Sequence, residues 1–191
     1  VNINHIKYMM KRNNSGFTVL ELLMVIAIIS ILAALLLSGV TAATKRGRIN
    51  ATKTLIETIS IASRTYRNDF FLYPLDGNGD SGIPGISGES PAECLYYFLG
   101  AQFVAGVNSS STNGPYFEFR NRNKKAVTSS TIDFNGDGTS NEPLLAVVDS
   151  WGNQLRYSNP GTHNTNSIDI YSLGPDGQDD SGNDDDITNW K

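Results

Sequence analysis

Residues 17–40 of the chain read FTVLELLMVIAIISILAALLLSGV, an apolar run in which Glu21 is the only ionisable side chain. As a helix this run is about 36 Å long, slightly more than the roughly 30 Å hydrocarbon core of a bilayer. The chain from Leu72 onward is rich in Gly, Asn, Ser and Asp instead. The sequence therefore predicts a transmembrane helix near the N-terminus, followed by a head solvated by water.

The segment before the apolar run is basic, with Lys7, Lys11 and Arg12 followed by Gly16. A secretory signal peptide places its cleavage site after the apolar region, whereas here the polar-to-apolar junction lies between Gly16 and Phe17. Cleavage is thus predicted ahead of the helix, which stays in the product. The net charge of the chain is −4, which argues against nucleic acid as a partner.

The sequence Gly16-Phe17-Thr18-Val19-Leu20-Glu21, preceded by basic residues, resembles the processing motif of type IV prepilins. The resemblance implies that residues 1–16 are a leader, that a prepilin peptidase cuts after Gly16, and that the new amine of Phe17 is methylated. It also implies that Glu21 pairs with the Phe17 amine of an adjacent subunit, so that the chain forms a homopolymer through this helix. An unpaired charge at membrane depth is costly, which is why the carboxylate needs such a partner. The alternative is a Glu21 side chain that only faces lipid headgroups.

The helix is predicted to continue through residues 41–72, ending at about Phe70, because apolar residues recur there at three- and four-residue steps and no proline precedes Pro74. This face comprises Ile49, Lys53, Ile56, Ile59, Ser63, Tyr66 and Phe70, with Leu55 and Ala62 alongside. Basic residues lie on both sides of the span, so the positive-inside rule does not choose an orientation. The resemblance implies a cytoplasmic N-terminus and a periplasmic head, with the basic segment 45–48 either at the outer interface or on the helical lattice of the filament.

Residues 73–143 are predicted to form a variable helix-loop region. Ser90-Pro91-Ala92-Glu93 carries the N-cap, first-turn proline and capping-box glutamate of a second helix, which stops near Gly100. Cys94 lies among apolar residues of that helix, so we interpret it as a buried core residue and not as a reactive thiol. The rest of the region is rich in Thr, Ser and Asn, which predicts an exposed, mobile insertion.

Residues 144–191 are predicted to form an antiparallel meander followed by an acidic loop. The strands are expected at Leu144–Val148, Gln154–Ser158 and Ile168–Leu173, separated by Gly- and Pro-containing turns. Packed together, these elements give an α+β fold, which the resemblance to type IV prepilins implies is pilin-like. In that fold a long N-terminal helix, transmembrane in its first half, packs against a small C-terminal antiparallel sheet with loop insertions.

The C-terminal segments 149–153, 169–177 and 185–190 resemble the signature of the major pseudopilins of type II secretion. This resemblance implies a structural subunit of a periplasmic pseudopilus, anchored by a single pass in the bacterial inner membrane and polymerised to drive protein export across the outer membrane. Its implied partners are further copies of the chain, prepilin peptidase, an inner-membrane assembly platform with a motor ATPase, minor pseudopilins and an outer-membrane secretin. Two alternatives stay open: a type IV pilus subunit for adhesion, motility or DNA uptake, and a membrane-anchored calcium-binding module that does not polymerise.

The loop after Leu173 concentrates carboxylates, which repel one another unless a cation neutralises them, and calcium prefers such oxygen ligands. The resemblance implies a calcium ion bound by the Leu173 carbonyl, Asp176, Asp185 and Asp186, with Asp184 able to substitute. The alternative is a solvated acidic loop.

A second calcium hypothesis concerns Asp133, Asn135 and Asp137, which form the first half of an EF-hand loop. The twelfth position of that loop is Leu144 instead of the bidentate glutamate, so the motif is incomplete. Asp76, Asn78 and Asp80 show the same alternation of Asp and Asn, without a glycine at the sixth position. The sequence leaves calcium binding and plain Asx turns open at both places.

The sequence offers no catalytic constellation. His5 lies in the leader, and His163 lies in a polar turn without a nearby nucleophile motif, so we interpret His163 as solvated. No glycine-rich nucleotide-binding loop precedes a helix, so the energy for assembly is expected from a separate ATPase. The chain is therefore predicted not to be an enzyme.

Overall fold

The computed structural model describes residues 16–77, 90–104, 112–134, 139 and 141–191. The predicted leader, apart from Gly16, lies outside the described residues, and so do Asn135 and Asp137 of the second calcium hypothesis.

Two compact units make up the chain, Val1–Ala43 and Thr44–Lys191, and helix α1 (Val19–Phe70) contributes to both. In the first unit its large apolar side chains are exposed, from 81% for Val19 to 43% for Val25. Among the described residues it is the one helix long and apolar enough to cross a membrane, with a mean hydropathy of 2.9 over an 18-residue window. A helix that is apolar all round needs lipid or other protein around it. The predicted apolar helix is confirmed from Val19 onward.

In the second unit, α1 buries one face in the core. The buried positions are Thr52, Leu55, Ile56, Ile59, Ser60, Ala62, Ser63 and Tyr66. The predicted amphipathic face is confirmed except at Lys53, which is exposed while its neighbour Thr52 is fully buried. Thr52 is tolerated there because its hydroxyl donates to Ser150 Oγ at 2.9 Å and accepts the Ser150 N–H at 3.2 Å.

Helix α1 ends at Phe70, as the sequence predicts. Phe71 then adopts a φ of 60°, and its N–H donates to the Arg67 carbonyl at 2.7 Å. A left-handed residue after the last turn is a common helix stop, and Pro74 prevents the helix from resuming.

Helix α2 (Pro91–Gly100) is capped as predicted. The N–H and the hydroxyl of Ser90 both donate to the Glu93 carboxylate, at 2.7 and 2.9 Å. Cys94 is fully buried, which confirms its interpretation as a core residue.

Three small antiparallel sheets complete the described part of the second unit. The strands of the first two sheets are β1 (Phe103–Val104) with β2 (Thr112–Asn113), and β3 (Lys124–Ile132) with β4 (Glu142–Val147). The third sheet has the order β5 (Arg156–Ser158), β6 (Asp169–Ser172), β7 (Ile187–Thr188). The predicted combination of a long helix with a small antiparallel C-terminal part is therefore confirmed.

The predicted three-stranded meander is confirmed for its second and third strands, which pair as β5 and β6, and is wrong for its first strand. Strand β4 covers most of the first predicted strand, Leu144–Val148, but its partner is β3. Among the described residues, one isolated bridge, Val148 to Gln154, links the end of that predicted strand to the second one. Strand β6 pairs with β7 on its second edge. Sequence reasoning misses β3 because its sequence, KKAVTSSTI, is polar and lacks an alternating apolar face.

In the insertion, residues 75–143, most of the described residues after α2 are exposed or half-buried, but the expectation of exposure is wrong at two anchoring residues. Phe119 and Ile132 are only 6% and 3% exposed, and both belong to the same core as α1. The Tyr116 hydroxyl donates to the Asp69 carboxylate at 2.6 Å and so ties this region to α1. The prediction of exposure rests on the average composition of the region, which does not show a few apolar anchoring residues among many polar ones.

One hydrophobic core joins α1, α2 and the strands, and α2 packs directly against β4 and β5. Its largest fully buried apolar members are Ile56, Ile59, Leu95, Leu99, Leu144, Leu155, Ile168 and Ile170. This core holds both ends of the connection between β6 and β7, which carries the acidic loop.

Candidate functional site

The first turn of α1 holds Glu21 in a reciprocal cap. The N–H and hydroxyl of Thr18 donate to Glu21 Oε2 at 2.9 and 2.8 Å, and the Glu21 N–H donates back to Thr18 Oγ1 at 3.2 Å. This capping box satisfies N–H groups that otherwise have no partner at the start of a helix. The Thr-x-x-Glu spacing in the sequence indicates this capping role. The interpretation of Glu21 as a subunit contact does not include it.

Gly16 and Phe17 lie just ahead of this cap. Phe17 is 77% exposed, and nothing lies within 4 Å of the place that a Gly16 side chain would occupy. Within the described residues the cap uses Glu21 Oε2, and no hydrogen bond to Oε1 is formed. The second carboxylate oxygen can therefore accept a donor from another molecule.

The acidic loop connects β6 to β7 and contains several residues with positive φ. Gly174 and Gly177 have φ values of 64° and 72°, and Ser181 and Asp184 adopt 54° and 45° although they are not glycines. A side chain on Gly174 would collide with the Asp185 carbonyl, so glycine lets the two ends of the loop approach each other. Strain at non-glycine residues is frequent in loops that bind ligands.

Three carboxylates converge in this loop, because one oxygen each of Asp176, Asp180 and Asp185 lie within 4.8 Å of one another. Such spacing matches oxygens that each lie about 2.3–2.6 Å from a shared calcium ion. Asp176 and Asp185 are among the ligands predicted from the sequence, whereas Asp180 is not. Nothing in the run of aspartates distinguishes Asp180 from its neighbour Asp179.

Asp185 and Asp186 each keep one buried oxygen, Oδ1, without a hydrogen-bond partner. The other Asp186 oxygen accepts the N–H groups of Gly182 and Asp180, at 2.8 and 3.2 Å. A buried carboxylate oxygen is costly without a partner, and a cation can supply one. The cluster consists of carboxylates, so it fits a hard, oxygen-preferring ion such as calcium.

The electrostatics of the loop point the same way. Desolvation raises the pKa of Asp180, and nearby carboxylates, including Asp176 and Asp184, raise it further. Burial also raises the pKa of Asp186, although the N–H groups of Gly182 and Asp180 oppose that effect. Both shifts arise where carboxylates are partly withdrawn from water and lie close to one another.

A hydrogen-bonded network holds Gly174 in position. The buried Asp149 accepts the N–H groups of Trp151 and Asn153 with one oxygen, at 2.8 and 2.9 Å, and the Ser172 hydroxyl with the other, at 2.7 Å. Ser172 Oγ in turn accepts the Gly174 N–H at 3.1 Å. These residues belong to the C-terminal segments that carry the resemblance, and their positioning role depends on contacts that the sequence alone does not show.

Asp179 is engaged outside the carboxylate cluster. It accepts hydrogen bonds from Arg156 Nε at 3.1 Å and from the Tyr171 hydroxyl at 3.0 Å. Burial, followed by this hydrogen bond, raises the pKa of Tyr171 to about 12. Asp179 therefore ties the acidic loop to strands β5 and β6.

His163 is exposed, as the sequence predicts, but it also has two partners that its interpretation as a solvated residue leaves out. Its ring stacks on the Trp190 ring with centroids 4.2 Å apart and an interplanar angle of 8°. Its N–H and its ring Nδ1 lie 2.7 and 3.3 Å from Asp169 Oδ2. The His163 side chain is 47% exposed, and Trp190 covers one face of its ring. The stack therefore ties the segment that carries Trp190 to the turn that carries His163.

Asp169 is expected to carry acid-sensitive stability. Burial raises the pKa of its carboxyl, but hydrogen bonds from the backbone of His163 and Asn164 outweigh burial and leave the pKa lowered. A lowered folded pKa gives stability that is complete above the unfolded pKa of about 3.9 and is lost as pH falls through the folded value. Urea unfolding at pH 7 should therefore show Asp169→Asn destabilising the head by about 1.5–3 kcal/mol.

The control for this prediction is Asp176→Asn, measured in chelator, because Asp176 is exposed and accepts only local hydrogen bonds from Gln178. It should not lower the free energy of unfolding. The difference between wild type and Asp169→Asn should shrink below about pH 4. A difference that persists unchanged at lower pH would contradict the role of the charge.

The two remaining calcium hypotheses fall partly on described residues. Asp76 is 7% exposed and accepts the Asn159 N–H at 3.1 Å, so it has a structural contact with the segment after β5. Asp133 is half-buried directly after β3. The other predicted residues of both motifs lie outside the described residues.

Two sequence families match the chain. The prokaryotic N-terminal methylation motif matches residues 11–37, and the family described as type II secretion system (T2SS), protein G matches residues 128–190. The type II secretion system core protein G of Pseudomonas aeruginosa is 30% identical over 183 residues, which cover 95% of this chain and 99% of the relative. The protein of the same name from Aeromonas hydrophila is 26% identical over 95% of this chain and 96% of its own length.

A solved structure also aligns with the chain. The crystal structure of the major pseudopilin from the type 2 secretion system of enterohaemorrhagic Escherichia coli covers 78% of this chain and 87% of its own, with 19% identity and a TM-score of 0.40.

Proposed function

Because the chain belongs to the type II secretion system core protein G family, we propose that it is the repeating, non-catalytic subunit of a filament that starts at the inner membrane and extends into the periplasm. The family resemblance stated from the sequence is confirmed. Membership of a secretion family also decides against the alternative of a surface type IV pilus. The observation that carries the proposal is the exposed apolar half of α1 behind a processing motif.

Polymerisation through α1 is supported by what the first unit leaves uncovered. Its large apolar side chains, such as Leu20 and Leu35, are 80% and 68% exposed in the single chain. Lipid covers them before assembly, and the helices of neighbouring subunits cover them in the filament. The exchange keeps apolar surface out of water throughout, so a subunit can leave the bilayer without exposing its helix.

Glu21 supports a fixed stagger between neighbouring helices. Cleavage before Phe17 creates a cationic amine, and Glu21 Oε1 is available after the cap is made. Two charges in an apolar surrounding are tolerated only when they meet with good geometry. The neighbour's helix must then stop where its amine reaches this carboxylate, which sets the register of the polymer.

Membership of a secretion family also supports the other partners that the sequence resemblance implies. We propose that prepilin peptidase cuts the chain, that an inner-membrane platform with a motor ATPase adds it to the filament, and that minor pseudopilins and an outer-membrane secretin complete the apparatus. The proposed topology is a single pass with the N-terminus in the cytoplasm and the head in the periplasm.

The acidic loop is proposed to bind calcium through Asp176, Asp180 and Asp185, with Asp186 adjoining. The ion supplies the positive charge that these carboxylates lack. The Leu173 carbonyl and Asp184 stay predictions as further ligands. The residues of the chain itself do the rest: Gly174 permits the close approach of the loop ends, and the network around Asp149 holds the loop to the sheet.

The experiment that tests the proposed function is processing in cells that contain the secretion machinery. Gly16→Val introduces a branched side chain directly before the cut, so we expect nearly all of the protein to remain uncut in the membrane fraction. Intact-mass measurement distinguishes the precursor from the product. The control Asn13→Val, three residues earlier, should be cut normally; cleavage of Gly16→Val at the wild-type rate would contradict the assigned site.

A further inference from the structure

The basic residues of this acidic chain are concentrated in two short segments. Eight of the 15 Lys and Arg residues lie in residues 44–54 and 120–125, and neither segment contains a carboxylate. The first belongs to α1, and the second covers the 3₁₀ turn Asn121–Asn123 and the start of β3. They are about 70 positions apart in the sequence.

The fold brings the two segments together around a surface pocket of about 410 Å³. Its lining residues are Thr44, Gly47, Arg48, Ala51, Arg122, Asn123 and Ser150. The walls are fixed by backbone contacts, because the Val148 N–H donates to the Asn123 carbonyl at 2.9 Å and Ser150 is bound to Thr52 of α1. The pocket is therefore part of the folded head.

The chemistry of this pocket suits a phosphate group. Within the described part of the chain, neither Arg48 nor Arg122 has a carboxylate within ion-pair distance, and no acidic residue lines the pocket. Guanidinium groups bind phosphate oxygens in a bidentate manner, and the side chains of Asn123 and Ser150 add neutral donors. The absence of a side chain at Gly47 leaves open space on the helix wall.

The position of the pocket selects the source of that phosphate. Thr44 follows Val40, the last residue of the apolar run, by four residues, or about 6 Å of helical rise. The headgroup layer of a bilayer extends about 5–7 Å beyond the hydrocarbon core. Lys45, Arg46 and Arg48 follow the apolar run closely in the sequence, and basic residues next to a membrane span are attracted to anionic headgroups.

We propose that the pocket between Arg48 and Arg122 binds the phosphodiester of a membrane phospholipid. The proposal rests on the membrane anchoring of α1 that forms part of the proposed function. A lipid held there links the head to the bilayer surface, and a subunit that enters the filament must release it.

The test uses the full chain in nanodiscs of equimolar phosphatidylcholine and phosphatidylglycerol, and native mass spectrometry measures the lipid that stays bound on release. Arg122→Gln should lower the affinity for the retained phospholipid roughly ten-fold or more, because a charge-assisted hydrogen bond is lost. Arg122→Lys should also weaken retention, since a lysine cannot bind in a bidentate manner. Lys125→Gln is the matched control, because this exposed residue carries the same charge on β3 outside the pocket; it should weaken retention less than about five-fold.

The outcomes separate this proposal from the proposed function. Equal lipid retention by Arg122→Gln and Lys125→Gln would overturn the pocket while leaving membrane anchoring intact. Failure of every variant, wild type included, to enter nanodiscs would overturn the anchoring itself. A parallel calorimetric titration of the chain in phosphate-free detergent uses inorganic phosphate as the probe; binding that depends on Arg122, without lipid retention in nanodiscs, would assign the pocket to a free anion and overturn the lipid.

Discussion

Glu21→Gln is expected to insert into the membrane like the wild type and to lower the yield of filaments by about a hundred-fold or more. Removing one partner of a buried charge pair leaves the other uncompensated, at a cost of about 3–5 kcal/mol. Each 1.4 kcal/mol corresponds to about a ten-fold change in an equilibrium constant. The measurement is the amount of chain in sheared filaments relative to the amount in the membrane fraction.

Glutamine is the informative substitution because it separates the two roles of Glu21. It can still accept the Thr18 N–H in the cap, whereas Glu21→Ala loses both the cap and the charge. Ser30→Ala is the matched control, since it removes a polar group of the same span whose hydroxyl only bonds to the Ile26 carbonyl. Normal filament yield from Glu21→Gln, combined with a loss in Glu21→Ala, would assign the effect to the cap and contradict the charge pair.

Calcium is expected to raise the melting temperature of the head, residues 44–191, by roughly 5–10 °C. Binding to the folded state alone stabilises by about 2.7 kcal/mol when the ion is at a hundred times its dissociation constant. For a unit of this size each kcal/mol shifts the midpoint by about 2–4 °C. Thermal unfolding in millimolar calcium and in chelator gives the shift directly, and magnesium should substitute poorly because it requires tighter octahedral geometry.

The substitutions Asp185→Asn and Asp180→Asn should each remove most of this calcium shift, because both residues belong to the carboxylate cluster. Asp179→Asn is the control in the same loop, since Asp179 bonds to Arg156 and Tyr171 instead. It should keep the shift. An identical midpoint in calcium and in chelator would mean that the loop is solvated acidic surface.

The parts of the fold that the sequence predicts well are those with local signals. The end of α1 follows from helical periodicity and the proline after it, and the start of α2 follows from a capping box that the structure contains. Burial of Cys94 follows from its apolar neighbours within one helix. Each of these features depends on residues a few positions apart, which a single sequence shows directly.

The features that the sequence does not predict depend on distant residues. The partner of β4 is the polar strand β3. Pairing satisfies the backbone N–H and C=O groups of β3 whether its side chains are polar or apolar. Asp180 belongs to the carboxylate cluster and Asp179 does not, which depends on the path of a loop that contains several positive φ values. Arg48 and Arg122 are distant in the sequence and line one pocket only in the folded second unit.

The central claim is that the chain is cut once and polymerises through the helix that the cut leaves in place. The most direct measurement is the intact mass of subunits in filaments sheared from cells that express the secretion machinery. The predicted subunit begins at Phe17 and carries one extra methyl group on its amine. Filaments whose subunits retain residues 1–16, or a cut chain that is found in membranes and never in filaments, would contradict the claim.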